Sequence, residues 1–196
     1  MNTLIVYCHP HHESLNGAFF KAVLKGIEES PSTHNVQVLD LYAENFNPVL
    51  VFNKDKKRRD MYKDPELEKH RQQIIWADRL VFIYPIFWGR PPAMLLGYID
   101  RMFASQFAYK DRPRSPYPEG LLKGKQVVCI STMKGPSFYL WLTLNNSHKV
   151  LMKRALFSFV GIKKVKFFQF GLMESSRGNQ SKKIAKVEHY FSKPTT

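Results

Sequence analysis

Leu80-Val81-Phe82-Ile83-Tyr84-Pro85-Ile86-Phe87-Trp88-Gly89-Arg90-Pro91-Pro92-Ala93-Met94-Leu95 is the stretch on which the fold turns. Leu80 to Tyr84 is an apolar run without alternation, the pattern of a strand covered on both faces in a parallel sheet. The run stops at Pro85, and the prolines and glycine as far as Pro92 preclude regular structure. Met94, Leu95, Tyr98, Ile99, Met102 and Phe103 then recur at helical spacing, so a helix follows. Strand, aromatic loop and helix in that order form the unit that sets a flat ligand at the carboxyl end of an open α/β sheet. An ordinary βα turn has no need of Pro85, Phe87, Trp88, Gly89, Pro91 and Pro92 in so short a space.

The same unit recurs toward the amino terminus. Thr3 to Cys8 reads as a first buried strand, followed by the loop His9-Pro10-His11-His12-Glu13-Ser14-Leu15-Asn16. The helix after it carries Phe20, Val23, Leu24 and Ile27 on its inner face. Between a first strand and a first helix, backbone N–H groups and the positive end of the helix dipole converge, and phosphate binds there. Ser14 and Asn16 suit either a helix cap or a phosphate contact. The three histidines raise the question of a metal, but no carboxylate or cysteine stands at ligand spacing, so none is expected. GxGxxG is absent, which excludes a Rossmann dinucleotide fingerprint. Val36 to Leu41 makes a second strand, roughly 30 residues after the first, as a right-handed βαβ unit requires.

Phe52 to Lys63 is charged and poorly periodic and reads as an exposed excursion. Asp64-Pro65 opens a helix running to Ala77, with Leu67, Ile74 and Ala77 inward. Beyond the central unit, Ser105 to Gly124 is an irregular surface segment. Gln126 to Thr132 is a fourth buried strand that ends in Met133 to Tyr139, a loop at the same end of the sheet. A helix with Val150, Leu151, Ala155 and Phe159 inward closes at Gly161. Val165 to Phe170 is a fifth strand, whose Lys163, Lys164 and Lys166 suit an edge. Ile184, Val187 and Phe191 form the stripe of a last helix. Residues 1–196 read as one domain without repeat or linker. The class is α/β and flavodoxin-like: a five-stranded parallel sheet in the order 2-1-3-4-5, helices on both faces, and the loops after strands one, three and four at the switch point.

A chain of 196 residues with 44% hydrophobic and 14% aromatic residues can bury a sizeable core in one domain and is not disordered. Leu4 to Cys8 is broken by His9-Pro10 and is no signal peptide. Nowhere do about 18 apolar residues run together, as a transmembrane helix needs. Cys8 and Cys129 lie in buried-strand runs and read as reduced thiols, so the cytoplasm is the expected compartment. The net charge of +14 would suit nucleic acid or a membrane surface. Yet the basic residues are dispersed over Lys54 to Arg59, Arg112 to Arg114, Lys163 to Lys166 and Lys182 to Lys186, without a helix-turn-helix, zinc or RNP-like pattern. Solvated faces that also attract phosphorylated ligands are the reading, with no nucleic-acid partner and no stable membrane insertion.

These pieces also resemble a known family, the flavodoxin-like NAD(P)H:quinone oxidoreductases, modulator of drug activity B-like proteins included. The resemblance covers nearly the whole chain. It rests on His9-Pro10 with Ser14 and Asn16, on Asp40-Leu41-Tyr42-Ala43 with Asn45-Phe46-Asn47-Pro48, and on Trp76-Ala77-Asp78. It continues through Pro85 with Trp88 and Pro92-Ala93, Phe107-Ala108-Tyr109, and Ser131-Thr132 with Tyr139. Order and spacing together make it specific.

The resemblance implies a flavin, FAD from the match of the first loop and of Asp40 to Pro48 to FAD-binding members, with FMN as the alternative. It implies NADH or NADPH as hydride donor and a quinone-like acceptor, both using one face of the ring in turn. His9, Ser14, Leu15, Asn16 and Ala18 match residues that hold the flavin's phosphates and ribityl chain. Pro85, Ile86, Phe87, Trp88 and Gly89 match the loop along one side of the isoalloxazine. Ser131, Thr132, Met133 and Lys134 match the loop at the ring's polar edge, where backbone N–H groups stabilise charge. Tyr139 matches a tyrosine near the flavin. Tyr109 matches an aromatic that closes the substrate cavity in a homodimer, with Phe103, Phe107 and Tyr117 in or beside the interface. Two departures stand out. Where the family has two glycines, this chain has Met133, which keeps an N–H but restricts φ, and Lys134, which brings a cation to the carbonyl edge. Where the family has a histidine six residues after the tyrosine, this chain has Asn145, with His148 three residues on. Asn145 therefore joins Tyr139 and Tyr109 as a catalytic candidate. A flavin-binding regulatory subunit of a membrane transporter is the rival function.

Overall fold

A computed structural model of the chain describes residues 1–175 and 179–194. Strands β1 (Asn2–Tyr7), β2 (Asn35–Asp40), β3 (Arg79–Pro85), β6 (Gln126–Thr132) and β7 (Lys164–Phe170) form one parallel sheet in the order β2-β1-β3-β6-β7. Strands β4 (Tyr109–Lys110) and β5 (Glu119–Gly120) make a separate antiparallel hairpin inside the segment expected to be irregular. The main sheet has the expected order.

Alternation along the strands sends side chains to two apolar layers. Ile5, Tyr7, Val81, Ile83, Val128 and Ile130 meet Phe19 and Val23 of α1 (Leu15–Glu28) and Val187 and Phe191 of α6 (Gln180–Ser192). On the other face, Leu4, Val6, Leu80, Phe82, Tyr84 and Cys129 meet α2 (Glu68–Trp76), α3 (Ala93–Met102) and a π-helical segment, Val150–Phe157. Both faces of β3 are covered along its whole length, which is why its sequence shows no alternation. Each such side chain taken out of water contributes ~1.5–3 kcal/mol. At the β7 edge, Lys164 and Lys166 project into solvent.

Three local expectations are corrected. Asp64 accepts from Glu66 N (3.2 Å) and caps a 3-10 turn, Pro65–Leu67, so α2 starts only at Glu68. The excursion from 52 to 63 is not wholly exposed: Arg58–Lys63 is a 3-10 helix that buries Met61. A single apolar residue among charges carries no periodic signal. Buried Arg101 ties this region to α3 by donating to Asn47 O (2.6 Å) and Glu66 Oε2 (2.8 Å), while Lys56 Nζ donates to Asp64 Oδ2 (2.6 Å). Third, the helix before Gly161 does not turn Val150, Leu151, Ala155 and Phe159 inward. Met152 and Phe157 are buried instead, while Val150, Ala155 and Phe159 are exposed. A π-helix bonds i to i+5, so a pattern read at 3.6 residues per turn assigns the wrong face.

Candidate active site

The loop between β1 and α1 is fixed by its own polar groups. Ser14 is extended (φ −120°, ψ 171°) and its Oγ accepts from Gly17 N at 3.1 Å, a helix cap. The Tyr7 hydroxyl donates to His11 O (3.2 Å), and the His12 ring stacks on the Tyr7 ring at 4.9 Å. His12 Nε2 pairs with Asp40 Oδ2 at 2.6 Å, which ties the loop to the end of β2. His11 N donates to His9 Nδ1 (3.1 Å), leaving the His9 ring half-buried. With Gly17 N taken by Ser14 Oγ, the Leu15 and Asn16 N–H groups at the start of α1 are left without an intrahelical acceptor, so the turn can receive a phosphate. Leu15 and Ala18 are partly buried on the same turn. Asn16 is nearly fully buried and has another role, described next.

Thr132, the last residue of β6, joins the loops. Its hydroxyl is hydrogen-bonded to Asn16, with Asn16 Nδ2 donating at 3.0 Å, and its carbonyl accepts from Ile86 N at 2.8 Å. Asn16 thus holds α1 to β6 and positions the loop. Beyond Ile86 the chain makes a tight turn: Phe87 N donates to Arg90 O (2.9 Å) and Arg90 N to Phe87 O (3.0 Å). Both central residues are at positive φ, Trp88 at 52° and Gly89 at 74°, as a type I′ turn requires. Glycine suits position 89 because its φ of 74° strains any L side chain, and a Cβ there would also press on Leu144 Cδ1 at 2.8 Å. Ser147 Oγ donates to Gly89 O at 3.0 Å and clamps the turn from the far side. Trp88 is 95% exposed, with Phe87 exposed beside it. A bulky residue in the left-handed region costs about 1–3 kcal/mol, so the surrounding bonds hold an aromatic plate against strain.

Ser131 is buried, its Oγ 3.5 Å from Phe168 O. The Met133 N–H donates to Phe170 O at 2.9 Å, so the donor expected for the flavin edge is already committed to the β7 exit. Lys134 reaches solvent and pairs with Glu174 at 3.3 Å. Tyr139 lies on a short helix, α4 (Phe138–Leu142), with its ring half exposed. Asn145 sits at φ 46° in the turn before another short helix, α5 (Ser147–Lys149). Its side chain makes no hydrogen bond among the described residues. Tyr109 stands apart on β4, edge-on to Phe159 at 4.9 Å, so within one protomer it is not brought to these loops. His148 does not take the place of the family's histidine. It is fully buried, hydrogen-bonded through Nε2 to the Tyr84 hydroxyl at 2.7 Å, and burial, with the Lys149 charge adding, pushes its pKa down to about 4. Burial likewise pushes the Cys8 and Cys129 thiols up to about 12, which leaves them inert. Among the described residues no cluster of side chains could hold a metal ion.

A family model described as the flavodoxin-like fold matches residues 1–193. The chain belongs to the flavodoxin-like fold family. Among its relatives is an uncharacterized NAD(P)H oxidoreductase of Haemophilus influenzae, 31% identical over 174 residues, 87% of this chain and 84% of that protein. The mouse ribosyldihydronicotinamide dehydrogenase [quinone] is 31% identical over 149 residues, 67% of this chain and 63% of that protein. The crystal structure of Smu.1420 from Streptococcus mutans UA159 superposes with a TM-score of 0.89 and 39% identity, covering 98% of this chain and 99% of that one. The names of the first two fall in the class that the resemblance implied. In this flavodoxin-like chain the switch point lies between β1 and β3, where the His9–Ser14 loop and the Trp88 turn leave adjacent strands, with Thr132 at the end of the next strand, β6, bonded to both segments.

Sequence reasoning missed Ser147 and Leu144, which shape the turn from α5 and the residues before it. It also missed the β7 exit, which pairs with the β6 exit through Leu172 N to Gly135 O (2.9 Å) and Met173 N to Met133 O (3.2 Å). Neither leaves a local signal, because each depends on where a distant segment arrives.

Proposed function

We propose that the chain is a flavin-dependent NAD(P)H oxidoreductase that passes two electrons to a quinone or similar acceptor, donor and acceptor taking the same face of the ring in turn. The exposed, strained Trp88 turn at the switch point carries the reading. A solvent-facing aromatic held at positive φ has no packing purpose of its own, and a flat apolar ring fits beside it. Bound flavin supplies the electron chemistry. The chain does the rest: the His9–Ser14 loop and α1 receive phosphate, Thr132 and Asn16 fix the distance between loops, and Phe87, Trp88 and Tyr139 orient the ring and exclude water. The oxidoreductase names of the relatives favour this over a transporter subunit. The flavin is FAD, with FMN the alternative, and the compartment is the cytoplasm, where the two buried thiols stay reduced. No described helix is long and apolar enough to cross a membrane.

Purified protein should be yellow, bleach on anaerobic addition of NADH or NADPH, and recover its colour with a quinone. A colourless preparation that takes up no flavin would end this reading. Acid extraction and chromatography of the released flavin should give FAD. Trp88→Ala should weaken flavin binding about ten- to hundred-fold, a loss of ~1–3 kcal/mol at an open stacking surface. Because Trp88 packs against almost nothing, the apoprotein should melt no lower than wild type. A lowered apo melting temperature with an unchanged dissociation constant would assign Trp88 to the scaffold.

The functional unit is a homodimer in which Tyr109 of one protomer closes the cavity of the other. Phe159, exposed against Tyr109, and Tyr117, 77% exposed, are aromatic surfaces that are costly to leave in water. Light scattering should give twice the chain mass. A monomer with full activity would refute it.

A further inference from the structure

Beside the candidate site, a groove of about 490 Å³ opens between the Pro136–Phe138 wall, the β7 exit and the first turns of α6, lined by Lys182, Lys183 and Lys186. A second groove of about 280 Å³ shares Phe138, Gln169 and Lys186 with it and adds Trp141 and Lys149. None of the lining residues is assigned to the flavin, and among the described residues neither groove has an acidic side chain in its walls. Lys183 donates to Gly171 O at 2.6 Å and holds the wall. The ammonium groups of Lys182 and Lys186 have no partner among the described residues. Gln169 Nε2 is buried and without an acceptor among the described residues. Phe138 and Trp141 expose more than half their surface beside these groups.

A concave surface of one charge sign concentrates counter-ions, and lysine is a point-charge partner for phosphate. Exposed aromatic faces stack a heterocycle, and an orphan amide donor seeks an acceptor on it. The combination calls for an aromatic nucleoside carrying a phosphate monoester. The groove also lies within reach of the ring: from Lys134 to Phe138 is four residues, at most about 14 Å of chain. We infer that the groove of Lys182 and Lys186 takes the 2′-phosphoadenosine end of the hydride donor and makes NADPH the preferred donor over NADH. The inference rests on the oxidoreductase reading above for its purpose, though not for its binding chemistry.

The test titrates 2′,5′-ADP and 5′-AMP separately into the purified holoprotein by calorimetry at low ionic strength. The expected result is at least about ten-fold tighter binding of 2′,5′-ADP. Lys182 and Lys186 are both exposed, so the double variant Lys182→Ala/Lys186→Ala should fold normally. It should lose about ten-fold or more in 2′,5′-ADP affinity while 5′-AMP stays level. Its NADPH-to-NADH ratio of kcat/KM should fall toward one with the quinone KM unchanged. Equal affinity for the two probes, or a double variant indistinguishable from wild type, would overturn the assignment. Displacement of the probe by inorganic phosphate or by a single-stranded oligonucleotide at similar concentration would overturn it too, exposing an indiscriminate anion face. If the protein oxidises neither donor, the oxidoreductase reading fails, while the probe preference still decides the groove.

Discussion

Gly17→Ala is expected to destabilise the chain by about 3 kcal/mol and to weaken flavin binding at least about hundred-fold. A Cβ at position 17 would stand 1.7 Å from His12 O and 2.7 Å from His12 C, both backbone atoms. No rotamer change relieves that contact, so the His9–Ser14 loop must lift off α1. The lift strains the Tyr7 hydroxyl bond to His11 O and the His12–Asp40 pair, and it draws the Ser14 cap away from Gly17 N. Alanine improves helix propensity by about 1 kcal/mol over glycine. That gain is smaller than the steric term, because overpacking typically costs ~1–3 kcal/mol even against movable side chains. For a domain of this size the net loss corresponds to a fall in melting temperature of roughly 6–12 °C. An unchanged midpoint in urea would mean that the loop yields freely and is not a fixed cradle.

Acidification from pH 7 to 4 is expected to remove about 3 kcal/mol of stability through His148 alone. Its folded pKa is about 4, depressed by burial and then by the Lys149 charge, against about 6.5 in the unfolded chain. Between those values the unfolded state binds the proton and the native state does not. Stability is therefore intact above pH 6.5 and declines as pH falls toward 4, below which this group has no further effect. His34 acts in the same direction, its pKa lowered by burial and by the charges of Arg79 and the amino terminus. His148→Gln keeps a hydrogen-bond partner for the Tyr84 hydroxyl and removes the titration. Melting temperatures measured at half-unit steps should fall steeply for wild type and much less for the variant over pH 6.5 to 4.5. Parallel curves would place the acid sensitivity elsewhere.

The sheet was legible because its central strands are buried on both faces, and an unbroken run as short as Leu80 to Tyr84, closed by a proline, suits a doubly covered strand and is too brief for a buried helix. The bounds of β6, Gln126–Thr132, were readable to the residue. The loops were legible as places, since prolines and glycines at strand ends mark the switch point. What the loops do was less so. Trp88-Gly89 is an unusual pair for a turn with two positive φ values, a position that Asn-Gly or Asp-Gly normally announces. Asn16 reads as a phosphate ligand until Thr132, 116 positions away, takes its amide. His148 sits in the polar run Asn145-Asn146-Ser147-His148-Lys149, and its burial depends on residues far along the chain, Tyr84 and Phe167, that pack against it. Met61 and the π-helical face failed for a related reason: a lone apolar residue has no period, and a π-helix has the wrong one.

The lysines that guard the β7 edge also limit how copies of the chain can meet. Two copies joined strand to strand along β7 would bring Lys164 and Lys166 of each against those of the other, like charges at the closest spacing a sheet allows. Growth into one continuous sheet across that edge is therefore closed off. Copies of the chain that associate are thereby turned away from this edge and toward other surfaces.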